Sequence, residues 1–67
     1  MEIQDIAKAL VKIREKKNLT QYKIGKLGMN MGTIRAIEEG KSVTLSNLIR
    51  YCEIVGAEIV IKEKEGH

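Results

Sequence analysis

The sequence predicts a mostly α-helical fold of four to five short helices, followed by a short C-terminal β-strand. Between residues 3 and 55, apolar residues recur at spacings of three and four, which is typical of amphipathic helices. Gly28, Gly40 and Gly56 stand where these patterns stop. After Gly56 the apolar residues alternate instead, as they do in strands. The 67 residues are enough for one small domain.

Each predicted helix combines an inward-facing apolar stripe with residues suited to its ends. The predicted helices cover 3–17, 21–27, 31–39 and 45–55. Thr20, Asn30 and Thr44 are suitable N-caps, because their side-chain oxygens accept hydrogen bonds from unpaired backbone N–H groups. Asn18 is predicted to adopt the left-handed conformation that ends helix 1. The residues predicted to face inward are Ile3, Ile6, Ala9, Leu10, Ile13, Ile24, Leu27, Ile34, Ile37, Leu45, Leu48, Ile49, Cys52 and Val55.

The last element is a strand predicted over residues 57–65, where apolar residues alternate and β-branched ones cluster. A lone strand is unstable, so it needs a partner with unpaired backbone groups. The simplest partner is the same strand of a second copy, paired antiparallel about a two-fold axis. A frayed helix extension and a strand folded back on its own domain are the alternatives. The predicted dimer interface also includes two residues of helix 4 that lie off its inward stripe. It consists of Tyr51, Ile54, Ile59, Val60 and Ile61.

Positive charge is concentrated in one part of the chain. The net charge is +3, but residues 8–35 hold eight Lys and Arg residues and only one acidic residue, Glu15. This segregation predicts a surface that meets phosphates, with a merely solvated lysine-rich surface as the alternative. The only aromatic residues are two tyrosines, which argues against a stacking surface for RNA or single strands.

The composition also excludes several classes of protein. One cysteine and one histidine rule out an intrachain disulfide and a metal cluster, and Cys52 is expected to be a buried structural thiol. We expect no enzyme and no cofactor, because the chain lacks a catalytic triad and a phosphate-binding glycine loop. The sequence shows no signal-peptide pattern, and its apolar runs are shorter than the about 20 residues that span a bilayer. The expected location is therefore cytoplasmic, with no membrane contact.

Residues 19–40 predict two short helices joined by a glycine turn, which is the layout of a helix-turn-helix. The chain resembles the Cro/repressor-type (XRE) helix-turn-helix family over residues 3–56. The matching residues are Ile6, Leu10, Ile13-Arg14, Leu19-Thr20-Gln21, Ile24, Leu27-Gly28, Thr33-Ile34, Ile37-Glu38, Gly40-Lys41, Thr44-Leu45, Leu48 and Val55-Gly56. A fourth helix that runs into a strand is similar to antitoxin-type repressors of the HipB kind, in which the C-terminal strands of two subunits pair.

Two features depart from the family pattern. The segment from Ile24 to Gly28 is one residue shorter than usual, so helix 2 or its turn must adjust. The outward residues at the start of helix 3 are Met31, Gly32 and Ala36, where the family usually has Gln, Arg or Asn. Bidentate reading of adenine by an amide side chain is therefore not available from this helix.

The resemblance implies a helix-turn-helix DNA-binding domain over residues 1–56 and a dimerisation strand over 57–65. The implied function is a homodimeric transcription repressor that binds double-stranded DNA at an inverted-repeat operator. Whether it acts alone or neutralises a cognate toxin protein stays open, and a protein-docking module with little DNA specificity is the competing hypothesis. The predicted base contacts are Met31, Gly32, Arg35 and Ala36. The predicted phosphate contacts are Thr20, Gln21, Tyr22, Lys23, Thr33, Lys41 and Thr44.

Several of these residues have a simpler interpretation. Arg35 could contact a phosphate or pair with Glu39 four residues later, and Met31 could belong to the edge of the core. Gln21 could be an ordinary helix-start residue, and Lys41 a solvated loop lysine. Glu38 matches a structural position of the family and is expected to be structural.

Overall fold

The fold is described from a computed structural model, which covers residues 2–65; Met1, Gly66 and the single histidine, His67, lie outside the described residues. Four helices form in this part of the chain: α1 (Ile3–Lys16), α2 (Gln21–Lys26), α3 (Met31–Glu38) and α4 (Leu45–Val55). All four predicted helices are confirmed. The first three end one residue earlier than predicted, and α4 has the predicted bounds.

The helix ends follow the local chemistry of their cap residues. The Thr20 hydroxyl accepts a hydrogen bond from the Lys23 amide at 3.1 Å, and Thr44 does the same for the Asn47 amide at 3.2 Å. The Asn30 side chain accepts from two amides at the start of α3. Each cap thereby satisfies N–H groups that have no partner within the helix. Asn18 adopts the predicted left-handed conformation, with φ of 57°.

The core is a single cluster in which α3 and α4 each pack against the other three helices. Its buried members are Leu10, Ile24, Met29, Ile34, Ile37, Tyr51, Cys52 and Val55. Five predicted core positions are wrong, because their side chains are exposed: Ile3, Ala9, Leu27, Leu45 and Ile49. The departures lie in the first half of α1, at the residue that follows α2 and along one side of α4, so they have separate causes.

The turn between α2 and α3 accounts for the error at Leu27. Because α2 ends at Lys26, the helical period no longer sets the direction of the next residue, and Leu27 is 61% exposed. Gly28 follows with φ of 110°, a conformation that L-residues rarely adopt. Met29 then returns to the core and is 6% exposed. In the shortened segment, the residue that packs into the core is therefore Met29, after the turn glycine, and not Leu27.

Helix α4 is rotated relative to the prediction. Tyr51, which was expected at a dimer interface, is fully buried within the single chain, so that expectation is wrong. Ile54 is half-buried and also packs against the core. With Tyr51 inside, Leu45 and Ile49 turn outward and are 67% and 43% exposed. The rotation places an apolar strip of α4 on the surface.

The segment after α4 is not a strand in the single chain. Residues 57–64 have no regular secondary structure, and no strand forms anywhere between residues 2 and 65. A strand requires partner backbone groups, and residues 2–65 of the single chain contain no second strand to supply them. The segment begins along the body of the domain, since Ala57 packs against the core. Ile59, Val60 and Ile61 remain exposed.

Candidate nucleic-acid interface

Helices α2 and α3 form a tight pair at the centre of the candidate interface. The polypeptide between them is only four residues long, from Leu27 to Asn30. Gly25 lets the helices approach closely, because a Cβ at this position would lie 3.1 Å from the Met31 sulfur. Ile24 of α2 and Ile34 of α3 are both fully buried beneath this contact. The opposite face of α3 is thereby held outward.

The predicted base-contact residues differ in how far they reach from α3. Gly32 and Arg35 are exposed, whereas Met31 and Ala36 are half-buried. The Met31 side chain lies against α2 at Gly25, which corresponds to the core-edge interpretation of this residue. Arg35 is the only long charged side chain among the four. Glu39 pairs with Lys41 at 3.0 Å, so the alternative Arg35–Glu39 pair is not formed.

The predicted phosphate-contact residues occupy three places around α3. The first group opens α2, and the others lie within α3 and in the segment that leads into α4. Thr20, Tyr22, Lys23, Lys41 and Thr44 are exposed, and Gln21 and Thr33 are half-buried. Their contacts with phosphates stay predictions. The Thr20 and Thr44 hydroxyl oxygens accept from backbone amides, which leaves their protons available to an anion.

Tyr22 and Lys26 form a further contact on the outer side of α2. The Lys26 ammonium lies 5.1 Å from the centroid of the Tyr22 ring, within the range of a cation–π interaction. Tyr22 is 66% exposed, so the contact restrains both side chains at the surface. A shallow depression bordered by these residues continues to Gly25, Met29 and Met31.

A buried carboxylate joins all four helices behind this surface. Arg14 donates to Glu38 from Nε to Oε2 at 2.7 Å and from Nη2 to Oε1 at 3.0 Å. Gln21 Nε2 donates to Oε1 at 2.9 Å, and the Tyr51 hydroxyl donates to Oε2 at 2.5 Å. Each carboxylate oxygen therefore accepts two hydrogen bonds. This geometry confirms the structural role predicted for Glu38.

The pKa values of the cluster follow from this geometry. Burial alone would raise the pKa of Glu38, but the hydrogen bonds from Arg14, Tyr51 and Gln21 outweigh it and lower that pKa. Burial and the hydrogen bond to Glu38 both raise the pKa of Tyr51. The hydrogen bond to Glu38 raises the pKa of Arg14. At neutral pH the cluster is an ion pair joined by a neutral tyrosine and an amide.

Three side-chain contacts that stabilise this part of the fold were not predicted from the sequence. Met29 supports the turn from the core, Tyr51 reaches Glu38, and Lys17 donates from Nζ to the Val55 carbonyl at 2.8 Å. The position of Tyr51 one turn before Val55 was the available signal, because the two share a helix face. No signal indicated Lys17, since its acceptor lies 38 residues further along the chain.

The described residues contain neither a group of side chains suited to a metal nor a helix suited to a membrane. Between residues 2 and 65 no group of three or more His, Cys, Asp or Glu side chains is placed to bind a metal. Across the same residues every helix is too short or too polar to cross a membrane. Cys52 is buried, and its burial raises the pKa of the thiol.

Comparison with known proteins identifies the family. The family model described as helix-turn-helix, HTH_3, matches residues 10–60, which is more than half of the chain. The chain therefore belongs to this XRE-type helix-turn-helix family, which is a DNA-binding rather than an enzyme family. No curated protein and no solved structure matches the chain significantly. The match includes α2 and α3 and extends past Gly56 into the C-terminal segment.

Proposed function

We propose that this protein is a homodimeric, sequence-specific transcription repressor that binds double-stranded DNA at an inverted-repeat operator. The observation that carries the proposal is the α2–α3 pair, whose outer face presents Arg35 and Gly32 beside a ring of exposed cationic and hydroxyl side chains. This is the arrangement in which a second helix enters the major groove while its neighbours contact the backbone. Membership of the helix-turn-helix family supports it.

Backbone contacts supply most of the affinity in this proposal. Thr20, Gln21, Tyr22 and Lys23 approach one phosphate stretch from α2. Lys41 and Thr44 approach another from the segment between α3 and α4, and Thr33 lies between the two groups on α3. These contacts fix the orientation of α3 on the duplex and carry little sequence information of their own.

Base reading then depends on a short set of side chains. Arg35 can donate two hydrogen bonds to a guanine edge, worth about 1–3 kcal/mol of discrimination. Gly32 and Ala36 allow the α3 backbone to approach the groove closely, and Met31 contributes apolar surface from its position against Gly25. Because so few groups read bases, the shape and deformability of the operator supply the remaining specificity.

Dimerisation in this proposal uses the apolar surface that α4 and the C-terminal segment share. Leu45, Ile49, Ile59 and Ile61 line one open depression of about 410 Å³. All four side chains are exposed in the single chain. An exposed apolar surface of this kind, on a domain with so thin a core, favours burial against another molecule.

The charge pattern of the C-terminal segment favours a second copy as that molecule. Antiparallel pairing centred on Val60 places Glu58 of each copy opposite Lys62 of the other. Each end of the paired segment therefore carries an opposite-charge pair. The same register places Ile59 opposite Ile61, on the side that faces Leu45 and Ile49. Centring the pairing on Ile59 or Ile61 instead sets apolar residues opposite charged ones. Tyr51 takes no part, and Ile54 contributes only the part of its surface that the core leaves exposed.

A toxin-binding role is the second candidate, and the exposed apolar C-terminal segment is the observation that favours it. An antitoxin needs a surface that a partner protein can cover, and residues 59–61 offer one. Co-expression with the protein encoded by an adjacent gene, followed by size-exclusion chromatography, tests this role. A stable complex supports it, and separate elution with intact operator binding leaves a stand-alone repressor.

The experiment that tests DNA binding is a titration of the protein against a labelled duplex from upstream of its own gene. A scrambled duplex of equal length and composition is the control, and both are measured at several salt concentrations. We expect tighter binding to the upstream duplex and an affinity that falls steeply with salt, because counterions are released from phosphates. Absence of binding near physiological salt would contradict the proposal and favour the protein-docking hypothesis.

A further inference from the structure

The Tyr51 hydroxyl and the Gln21 amide meet on one carboxylate, although they belong to different helices. Tyr51 lies on α4 and is fully buried, whereas Gln21 opens α2 on the proposed DNA face. Both donate to Glu38, Tyr51 to Oε2 at 2.5 Å and Gln21 to Oε1 at 2.9 Å. The orientation of the Glu38 carboxylate therefore determines where the Gln21 amide points.

Tyr51 limits the rotation of that carboxylate. Arg14 holds both carboxylate oxygens from α1 and also donates to the Leu19 carbonyl at 2.9 Å. Tyr51 supplies the restraint from α4. A carboxylate held from two directions has one orientation, and a hydrogen bond to a charged group is among the stronger ones in a protein.

The Gln21 amide is left with one N–H group to use. Its Nε2 carries two protons, of which one is donated to Glu38. The second is available to an acceptor on the DNA backbone. An amide that is already oriented loses less conformational entropy when it binds a phosphate than a freely rotating one does.

We propose that Tyr51 is a positioning residue for DNA binding, which acts through Glu38 to orient the Gln21 side-chain amide. The proposal rests on the proposed function, because it takes Gln21 as a phosphate contact. Tyr51 itself does not touch DNA. Its hydroxyl is the part that matters, since the ring fills the core whether or not the hydroxyl is present.

A double-mutant cycle tests the proposal through the affinity for the upstream duplex. The variants are Tyr51→Phe, Gln21→Ala and the two combined, measured at a temperature where all are folded. Losing the hydroxyl should weaken binding about threefold to tenfold when Gln21 is present, the size expected for one lost hydrogen bond. With Gln21→Ala already in place, Tyr51→Phe should weaken binding no further.

Val55→Ala is the matched structural control, because it also removes part of a buried side chain of α4 but takes away no hydrogen-bonding group. It should lower the melting temperature and leave the affinity unchanged. An equal loss from Tyr51→Phe in both Gln21 backgrounds would overturn the positioning role while leaving the proposed function intact. A wild-type protein that binds neither duplex would overturn both.

A second measurement covers the case in which Tyr51→Phe does not fold. In the wild-type protein, hydrogen exchange of the side-chain amides can be followed by NMR, with the exposed Gln4 as the reference. The Gln21 amide should exchange more slowly than that of Gln4, because Glu38 holds it. Equal exchange of the two amides would show that Gln21 is not held and would overturn the proposal.

Discussion

Arg14 and Glu38 lie 24 residues apart in the chain and form an ion pair of 2.7 Å between Nε and Oε2. Their side chains are only 13% and 7% exposed, so both charges are largely removed from water. A pair in this environment is compensated only when its remaining hydrogen-bonding groups also find partners. Tyr51, Gln21 and the Leu19 carbonyl provide them. The stability of the fold therefore depends on the charge of one carboxylate.

Acid is expected to destabilise the fold through Glu38. The folded-state pKa of Glu38 lies below its ordinary value of 4.5, so the ionised form is the one that folding favours. Its contribution is complete above that ordinary value and is lost as the pH falls through the lower, folded-state pKa. We expect the free energy of unfolding to decrease below about pH 4.5, as measured by urea denaturation at a series of pH values.

Two variants separate this effect from the titration of other carboxylates. Glu38→Gln should be destabilised at pH 7 and should lose less stability than wild type on acidification. Glu53→Gln, at an exposed position on α4, should reproduce the wild-type profile. If Glu38→Gln and wild type lose stability in parallel, Glu38 is not the group responsible.

The turn between α2 and α3 makes a prediction about two neighbouring apolar residues. Met29→Ala should cost about 2–5 kcal/mol, because Met29 is 6% exposed and its loss leaves a cavity. Leu27→Ala should change the stability by no more than about 0.5 kcal/mol, because Leu27 is 61% exposed. Thermal unfolding of both variants measures the difference. The reverse order would place Leu27 in the core instead.

The fold was largely predictable because its signals are local. The cap residues Thr20, Asn30 and Thr44 and the spacing of apolar residues determine where α2, α3 and α4 begin. The errors arose where position depends on tertiary packing. The periodicity of apolar residues does not show that a helix ends early, as α2 does before Leu27. It also does not show which side of α4 faces inward when Tyr51 forms a hydrogen bond with Glu38.

The sequence predicts where the candidate interface lies but not its internal geometry. The segregation of positive charge and the glycine turn indicate which helices are proposed to face DNA. The packing of Met31 onto Gly25 and the cluster around Glu38 depend on contacts between residues far apart in sequence. Such contacts leave no periodic trace in a single sequence. The strand predicted over residues 57–65 does not form in the single chain.

The proposed reading helix predicts different outcomes for two basic residues. Arg35→Ala should reduce the preference for the upstream duplex over the scrambled one while keeping most nonspecific binding, because Arg35 is the proposed reader of a base edge. Lys41→Ala should weaken binding to both duplexes alike and lower the salt slope by about one, because Lys41 is a proposed phosphate contact. Fluorescence anisotropy at several salt concentrations measures both quantities. An unchanged preference in Arg35→Ala would remove Arg35 from the base-reading residues.

A truncation after Gly56 removes the proposed dimerisation segment and leaves all four helices. The truncated protein should sediment as a monomer and bind the upstream duplex weakly, since one domain contacts only one half-site. Circular dichroism should show that its helices remain. A truncated protein that stays dimeric in analytical ultracentrifugation would show that the interface lies elsewhere.

Charge exchange between positions 58 and 62 tests the register of the proposed dimer. With the pairing centred on Val60, Glu58→Lys and Lys62→Glu each create two like-charge contacts in the symmetric dimer, so each should weaken dimerisation. The double variant restores opposite charges with their positions exchanged, and its dimerisation should return toward that of wild type. Sedimentation velocity over a range of protein concentrations measures this directly. Because the double variant has the composition and net charge of wild type, a failure to recover cannot reflect general electrostatics and would exclude this register.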